Sequence, residues 1–513
     1  MALKLLLVVV FFGVMVGIGI YCRRTATDVN GFVLGGRSVG PWLTAFAYGT
    51  SYFSAVVFVG YAGQFGWRFG IAATWAGIGN AILGSLLAWA VLGRRTRIMT
   101  QHLDSATMPE FFGRRFGSAN LKIAASIVTF IFLIPYTASL YNGLSRLFGM
   151  AFDIDYSVCV IVMAVLTGVY IIAGGYMATA INDFIQGIIM LFGICAVIVA
   201  VLKSQGGFLA ALNGLAQVSD EAVSTSPGVF NSFFGPDPVN LLGVVILTSL
   251  GTWGLPQMVQ KFYAIKSEKA VGTGTIISTI FALIVSGGCY FLGGFGRLFS
   301  DRIDIAVNGY DSVVPTMLSG LPDILIALVV ILVLSASMST LSSLVLTSSS
   351  TFTLDLLKGH VVKDMDEKRQ VFIMRCLIVV FILISVVLAI IQYRSSVTFI
   401  AQLMGVSWGA LAGAFLAPFL YGLYWKRTSK IACWCSFIFS TVFMLAVISP
   451  AKALLPALLQ SPINAGAFCM IAGLVIVPVV SLLTPKPDAS LVDGAFACYD
   501  RRVTVRQSEA LGE

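Results

Sequence analysis

The sequence predicts an all-α integral membrane protein, and three observations carry the prediction. Only 11% of the 513 residues are charged, 58% are apolar, and mean hydropathy is +0.94. A soluble globular chain carries about 25% charged residues, so this one has too few to coat a water-facing surface of its size. The apolar excess falls into blocks of about 20 residues, the length of helix that spans a bilayer core. Lipid offers no hydrogen-bond partners, so each block must satisfy its own backbone, as an α-helix does.

Thirteen such spans can be marked, at roughly 3–22, 41–65, 71–93, 121–149, 156–176, 180–202, 238–262, 271–297, 322–350, 370–392, 396–424, 431–449 and 464–484. The first has the length of a signal peptide. Its charges, Arg23 and Arg24, follow the apolar run instead of preceding it, so it is read as a retained helix. Basic residues collect in alternate loops, among them Arg94, Arg97, Arg115, Lys261, Lys363 and Lys426, and the opposite loops hold few. By the positive-inside bias this puts the N-terminus outside and the C-terminus in the cytoplasm. Residues 1–485 form one membrane domain, and 486–513 form a short polar cytoplasmic tail too small for a signalling domain. The compact tail and the absence of long glycosylated-looking loops point to a bacterial inner membrane.

The net charge of +9 does not indicate a nucleic-acid partner, because the basic residues sit in short loops between apolar spans. Nine cysteines lie scattered, with Cys433 and Cys435 the one close pair, and they read as packing residues without metal-type spacing. His102 and His360 fall in loops. No nucleophile or metal constellation of an enzyme is present, and no obligate protein partner is indicated.

Chemistry concentrates where spans are broken. Residues 47–66 (AYGTSYFSAVVFVGYAGQFG) and 248–257 (TSLGTWGLPQ) interrupt the second and seventh spans with Gly, Ser, Thr or Pro. Corresponding breaks in two halves of a chain are the sequence pointer to a transporter site, since an unwound turn frees carbonyl oxygens for a cation. Close helix packing through small residues is the alternative. In the ninth span, 335–353 reads SASMSTLSSLVLTSSSTFT. Ser335, Ser339, Ser342 and Ser343 recur at i, i+4, i+7 and i+8 and share a face, with Thr340 beside it. Such hydroxyls suit a hard cation, which takes oxygen ligands. They also suit back-bonding to their own helix. Asp183, in INDFIQG, is the carboxylate within an apolar span. It marks either a functional site or a helix N-terminal carboxylate.

Four stretches together, FVLGGRSVGPW, TMPEFFGRRFG, YIIAGGYMATAINDFIQG and MSTLSS, resemble the sodium:solute symporter family over residues 1 to about 485. The resemblance implies a LeuT-type five-plus-five inverted repeat, here about 41–202 and 238–424, and sodium as coupling ion. It implies a main sodium site from the carbonyls of Thr50, Phe53 and Ala336 and the hydroxyls of Ser339 and Thr340. It permits a second sodium near Ser342, Ser343 and Asp183. The solute would lie between the broken helices, near Tyr52, Ser54, Gln64, Tyr136, Ser139, Thr252, Trp253, Pro256 and Gln257. Proline carriers of the family have an aspartate where this chain has Tyr52, whereas GLP before a basic SEKAV loop and the NDxxQG element lean toward pantothenate carriers. Pantothenate and an amino acid such as proline therefore both stay open. The expected activity is sodium-coupled uptake of a small organic solute by alternating access. A proton-coupled symporter using Asp183, and a transporter-like solute sensor, are the alternatives.

Overall fold

Backbone hydrogen bonding without water leaves helix as the economical answer, and the chain takes it almost throughout. The computed structural model describes residues 2–152, 155–221, 223–224, 226–358, 362, 365–395 and 400–500, and helix follows helix with no strand among them. Among the described residues, ten helices are long and apolar enough to cross a bilayer, or eleven if the bent pair Pro238–Gly254 and Pro256–Ala264 is one crossing.

That count falls short of the thirteen spans expected, and the shortfall lies in two runs, Val56–His102 and Tyr156–Ser204, of 47 and 49 residues. At about 1.5 Å per residue each would reach roughly 70 Å if straight, over twice the hydrocarbon core. Each is interrupted by a glycine in the left-handed region, Gly70 (φ 62°, ψ −143°) and Gly175 (φ 55°, ψ −148°). A Cβ at Gly70 would lie 2.1 Å from the Phe230 carbonyl oxygen, and one at Gly175 2.8 Å from that of Phe32. Thirteen crossings require the chain to turn at both glycines.

The helix Asp323–Thr351 runs through the centre, and every residue from Leu332 to Thr351 is buried. The helices Ala119–Phe152 and Tyr156–Ser204 pack along it, and two broken helices lean on it from the other side. The first broken helix starts at Pro41 and stops at Tyr52. Phe53 is extended (φ −81°, ψ 117°), its N–H returns to the Gly49 carbonyl, and helix resumes after Ser54. The second repeats that geometry: Leu255 is extended (φ −80°, ψ 122°), its N–H returns to the Gly251 carbonyl, and Pro256 opens the next segment. Both breaks fall where the sequence places them.

One end of the bundle is rich in Arg and Lys, but several basic residues expected in its loops are inside. Arg97 is buried and donates to the Ile265 carbonyl at 2.5 Å, and Arg115 is buried and donates to the Gly422 carbonyl at 2.9 Å. Lys261 is buried as well, in the segment Pro256–Ala264. The bonding capacity of an Arg or Lys head can be met by carbonyls at helix ends, which loop-counting does not see. The tail is likewise not free at its start. Asp488 caps a helix Ala489–Phe496 that docks through Lys426–Asp493 (2.8 Å) and through His102 donating to the Gly494 carbonyl (2.8 Å). His360, Lys363 and residues 501–513 lie outside the described residues.

Small residues set how closely helices approach. A Cβ on Gly66 would fall 1.9 Å from the Gly293 carbonyl oxygen, and one on Gly293 2.1 Å from that of Ala62. These two helices touch backbone to backbone, the packing that membrane helices reach through glycine. Gly66→Ala should therefore destabilise the detergent-solubilised protein by about 1–3 kcal/mol, the usual cost of overpacking. Thermal unfolding checks this against Gly17→Ala, a position with nothing within 4 Å. Equal midpoints for the two variants would mean the contact yields.

Candidate functional site

The break in the first helix leaves the carbonyls of Thr50 and Phe53 without their regular intrahelical partners, because the N–H of Val57 bonds Ser54 instead of Phe53. Both carbonyls face the hydroxyl-rich helix. Ser339 Oγ lies 3.1 Å from Thr50 O, 3.2 Å from Ala336 O and 2.9 Å from Ser335 O. Thr340 Oγ1 lies 3.2 Å from Thr50 O, 3.4 Å from Phe53 O and 3.2 Å from Ala336 O. Two hydroxyl protons cannot serve six such approaches. Back-bonding to the host helix accounts for the contacts with Ser335 and Ala336, but not for those across to Thr50 and Phe53. The five residues named for a main cation site thus form one oxygen cluster that is short of protons.

One helical turn away lies a second polar group. Ser343 Oγ is 2.7 Å from Ser51 Oγ and 3.2 Å from Ser339 O, and Ser342 donates to Ser339 O at 2.9 Å. Asp183 is fully buried two turns beyond Gly175, so it is not a helix-terminal carboxylate. Its Oδ2 lies 3.8 Å from Lys261 Nζ, and that ammonium donates to Ser343 Oγ at 2.9 Å. Sequence reasoning had Asp183 and Ser343 but missed Lys261, assigned to a loop. A lysine within eight residues of a Gly-Leu-Pro break was the available signal.

The positions named for a solute divide into two sets. Ser139 donates to the Tyr136 carbonyl (2.6 Å), Thr252 contacts the carbonyls of Gly84 and Ser249 (2.9 Å each), and Trp253 Nε1 donates to the Leu83 carbonyl (2.8 Å). Their polar atoms serve the backbone, and Thr252 and Trp253 tie the second broken helix to the span that follows the first. Gln64 lies roughly 15 Å along its helix from Ser54, at about 1.5 Å per residue. The remaining group is different. The hydroxyls of Tyr52, Ser54 and Tyr136 and both ends of the Gln257 amide are buried without a hydrogen-bond partner, as is the Gln64 amide oxygen further along, and Pro256 is buried beside Gln257. Buried polar atoms are normally paired, so each of these orphans needs an explanation.

Trp408 was not foreseen. It lies in GVSWGALAG, an unremarked stretch of the span Ile400–Tyr424, and is fully buried with Nε1 unpartnered. Its ring sits 5.7 Å from Tyr52 and 5.9 Å from Tyr136, and presses on Gly251, where a Cβ would come within 2.4 Å. One large ring among glycines and alanines was the signal. Three aromatic rings with free polar tips thus stand beside the oxygen cluster, joined to it through consecutive residues 50–53.

The family model for the sodium:solute symporter family matches residues 32–438. The osmoregulated proline transporter OpuE of Bacillus subtilis is 28% identical over 482 residues, covering 93% of this chain and 94% of that protein. A sodium/proline symporter of Staphylococcus aureus is 29% identical over 500 residues, covering 94% and 93%. Among solved structures, a substrate-bound, outward-open sodium-coupled sialic acid symporter matches with a TM-score of 0.74 at 17% identity, covering 94% of this chain and 98% of that one. The inward-facing conformation of Mhp1 matches with a TM-score of 0.52 at 12% identity, covering 89% and 94%. These likenesses make the fold LeuT-type.

The assignment of Trp253 to the scaffold is testable. Trp253→Phe removes one hydrogen bond to Leu83 and keeps the ring, so it should lower stability by about 1 kcal/mol. Denaturant unfolding in detergent measures it, and an unchanged midpoint would return Trp253 to the candidate solute lining.

Proposed function

We propose that this chain, which belongs to the sodium:solute symporter family, couples inward sodium movement to the uptake of a small zwitterionic amino acid, with proline the first solute to test. The observation that carries the coupling is the proton-poor oxygen cluster. Oxygens 3.1–3.4 Å apart are the edges of a polyhedron whose centre lies about 2.2–2.4 Å from each vertex, near the reach of hard cation–oxygen bonds. Sodium is the coupling ion of the family. In this reading Thr50 O, Phe53 O, Ala336 O, Ser339 Oγ and Thr340 Oγ1 surround it. A site of neutral oxygens lets the ion leave as well as bind.

The solute reading rests on the aromatic group and on the relatives. The rings of Tyr52, Tyr136 and Trp408 offer apolar surface to an aliphatic ring and a quadrupole to an ammonium. The segment opened by Pro256 carries Gln257 at its N-terminal end, where partial positive charge suits a carboxylate without an arginine. Two relatives named for proline support proline over pantothenate. Tyr52 in place of the proline carriers' aspartate then means that the ammonium is held by π-faces instead of a carboxylate.

The cycle follows from shared parts. Sodium from outside pins the first broken helix against Asp323–Thr351 and favours the solute-competent state. Closure and rocking then expose both ligands to the cytoplasm. The N-terminus is outside and the C-terminus inside a bacterial cell membrane. One charge crossing 100 mV yields about 2.3 kcal/mol and a tenfold gradient about 1.4 kcal/mol. One sodium ion therefore supports roughly 500-fold accumulation of a net-neutral solute, and two support roughly 10^5-fold.

Radiolabelled uptake into proteoliposomes, with proline and pantothenate in parallel at fixed pH and potential, tests the assignment. Proline accumulation that needs an inward sodium gradient is expected. Pantothenate accumulation alone would overturn the solute, and accumulation driven by a proton gradient without sodium would overturn the ion. The site itself is tested by Ser339→Ala and Thr340→Ala. Each should raise the sodium concentration for half-maximal uptake by at least about tenfold, the effect of roughly 1.4 kcal/mol of lost ligation. An unchanged sodium dependence in both would place the ion elsewhere.

A further inference from the structure

A fully buried carboxylate inside a membrane protein needs a positive partner. In this chain the partner is covalently attached. Lys261 Nζ stands 3.8 Å from Asp183 Oδ2, with side-chain exposures of 3% and 0%. It donates to Ser343 Oγ at 2.9 Å, and Ser343 is joined at 2.7 Å to Ser51. The ring of Tyr176 lies 5.2 Å from the ammonium. Carboxylate, hydroxyls and an aromatic face are what a cation collects in a low-dielectric site. They come here from the first broken helix, the hydroxyl helix and the run Tyr156–Ser204, and the second broken helix brings the cation.

We propose that Lys261 is a tethered second cation. Its ammonium occupies the Asp183–Ser343–Ser51 position, so this chain carries one sodium ion per cycle and not two. The inference rests on the sodium-symporter reading above and deepens it. Its physical content is exclusion. A mobile cation sharing Asp183 and Ser343 would lie about 4 Å from the ammonium, and at an effective dielectric of about 20 that repulsion weakens binding roughly a thousandfold. The attached charge also does not leave. The pair therefore holds the two broken helices' surroundings together in every state, while the oxygen cluster one turn away, linked through Ser339 and Ser343, fills and empties.

Equilibrium binding of radioactive sodium to the purified protein tests this without reference to any solute. The wild type should bind one ion per chain. Lys261→Ala and Lys261→Gln, which free Asp183, should bind two. Adding Asp183→Asn to either should return the count to one. Two ions on the wild type would overturn the proposal, as would a count that stays at one when Lys261 is neutralised in a folded protein. Should both single variants fail to fold, the neutral pair Lys261→Met with Asp183→Asn, which leaves no unpaired buried charge, decides the matter. One ion supports the tethered cation, and two overturn it by showing a second site that needs neither residue. No sodium bound to the wild type would instead overturn the symporter reading, so the two failures are distinguishable.

Discussion

Everything at the centre of this protein depends on one constraint: a carbonyl oxygen freed inside a membrane must find a partner without water. Breaking a helix between Tyr52 and Ala55 frees two. The hydroxyls of Ser339 and Thr340 reach across to them, but two protons do not satisfy so many oxygens. The unpaired lone pairs converge on one point, and convergent lone pairs are the arrangement that the proposed sodium site would use. The break is thus a weakness of the helix and, in the proposed reading, the source of the function. The same reasoning explains why the central helix is dense in Ser and Thr. Residues that would be neutral or poor helix formers elsewhere supply the donors that a broken neighbour requires.

The scaffold answers to a related constraint. Lipid does not drive helices together as water does, so close contact has to come from shape. Gly66 and Gly293 bring two backbones into contact, and Gly409 and Gly466 bring the span of Trp408 against its neighbour, where a Cβ on either glycine would come within about 3 Å of the other's Cα. Trp408 can be fully buried only because Gly251 leaves it room. Removing side chains at some positions is what allows a large ring to be held at another.

Much of this was legible in the sequence. The two breaks and the hydroxyl face could be located because their composition is unusual for apolar helix whatever surrounds it, and Thr50, Phe53, Ala336, Ser339 and Thr340, the residues that the resemblance names, lie within hydrogen-bond distance of one another. What could not be read was burial decided by tertiary neighbours. Lys261, Arg97 and Arg115 count as loop charges in a linear reading, yet each is buried against partners 82 or more residues away in the chain. Trp408 looked like one more apolar residue because its importance comes from Tyr52 and Tyr136, which lie on other helices. The spans that run on through Gly70 and Gly175 show the converse, since hydropathy marks where chain is apolar and only backbone conformation shows where it turns.

Residues 50–53 bring these threads to one point. Four consecutive residues serve three different partners: Thr50 and Phe53 turn their carbonyls to the oxygen cluster, Ser51 turns its hydroxyl to Ser343, and Tyr52 turns its ring to Trp408. The last helical turn makes this possible, since consecutive residues fan out around the axis, and the extended Phe53 that ends the helix leaves the Thr50 and Phe53 carbonyls free. Coupling between ion and solute requires each to bind two conformations unequally. Here any shift of the turn that opens the oxygen cluster must also move Tyr52 against Trp408, because no residue separates them. Ion and solute therefore do not need a pathway through the protein to sense each other. In the proposed reading the same four residues would hold both, so the conformation that suits one would suit the other.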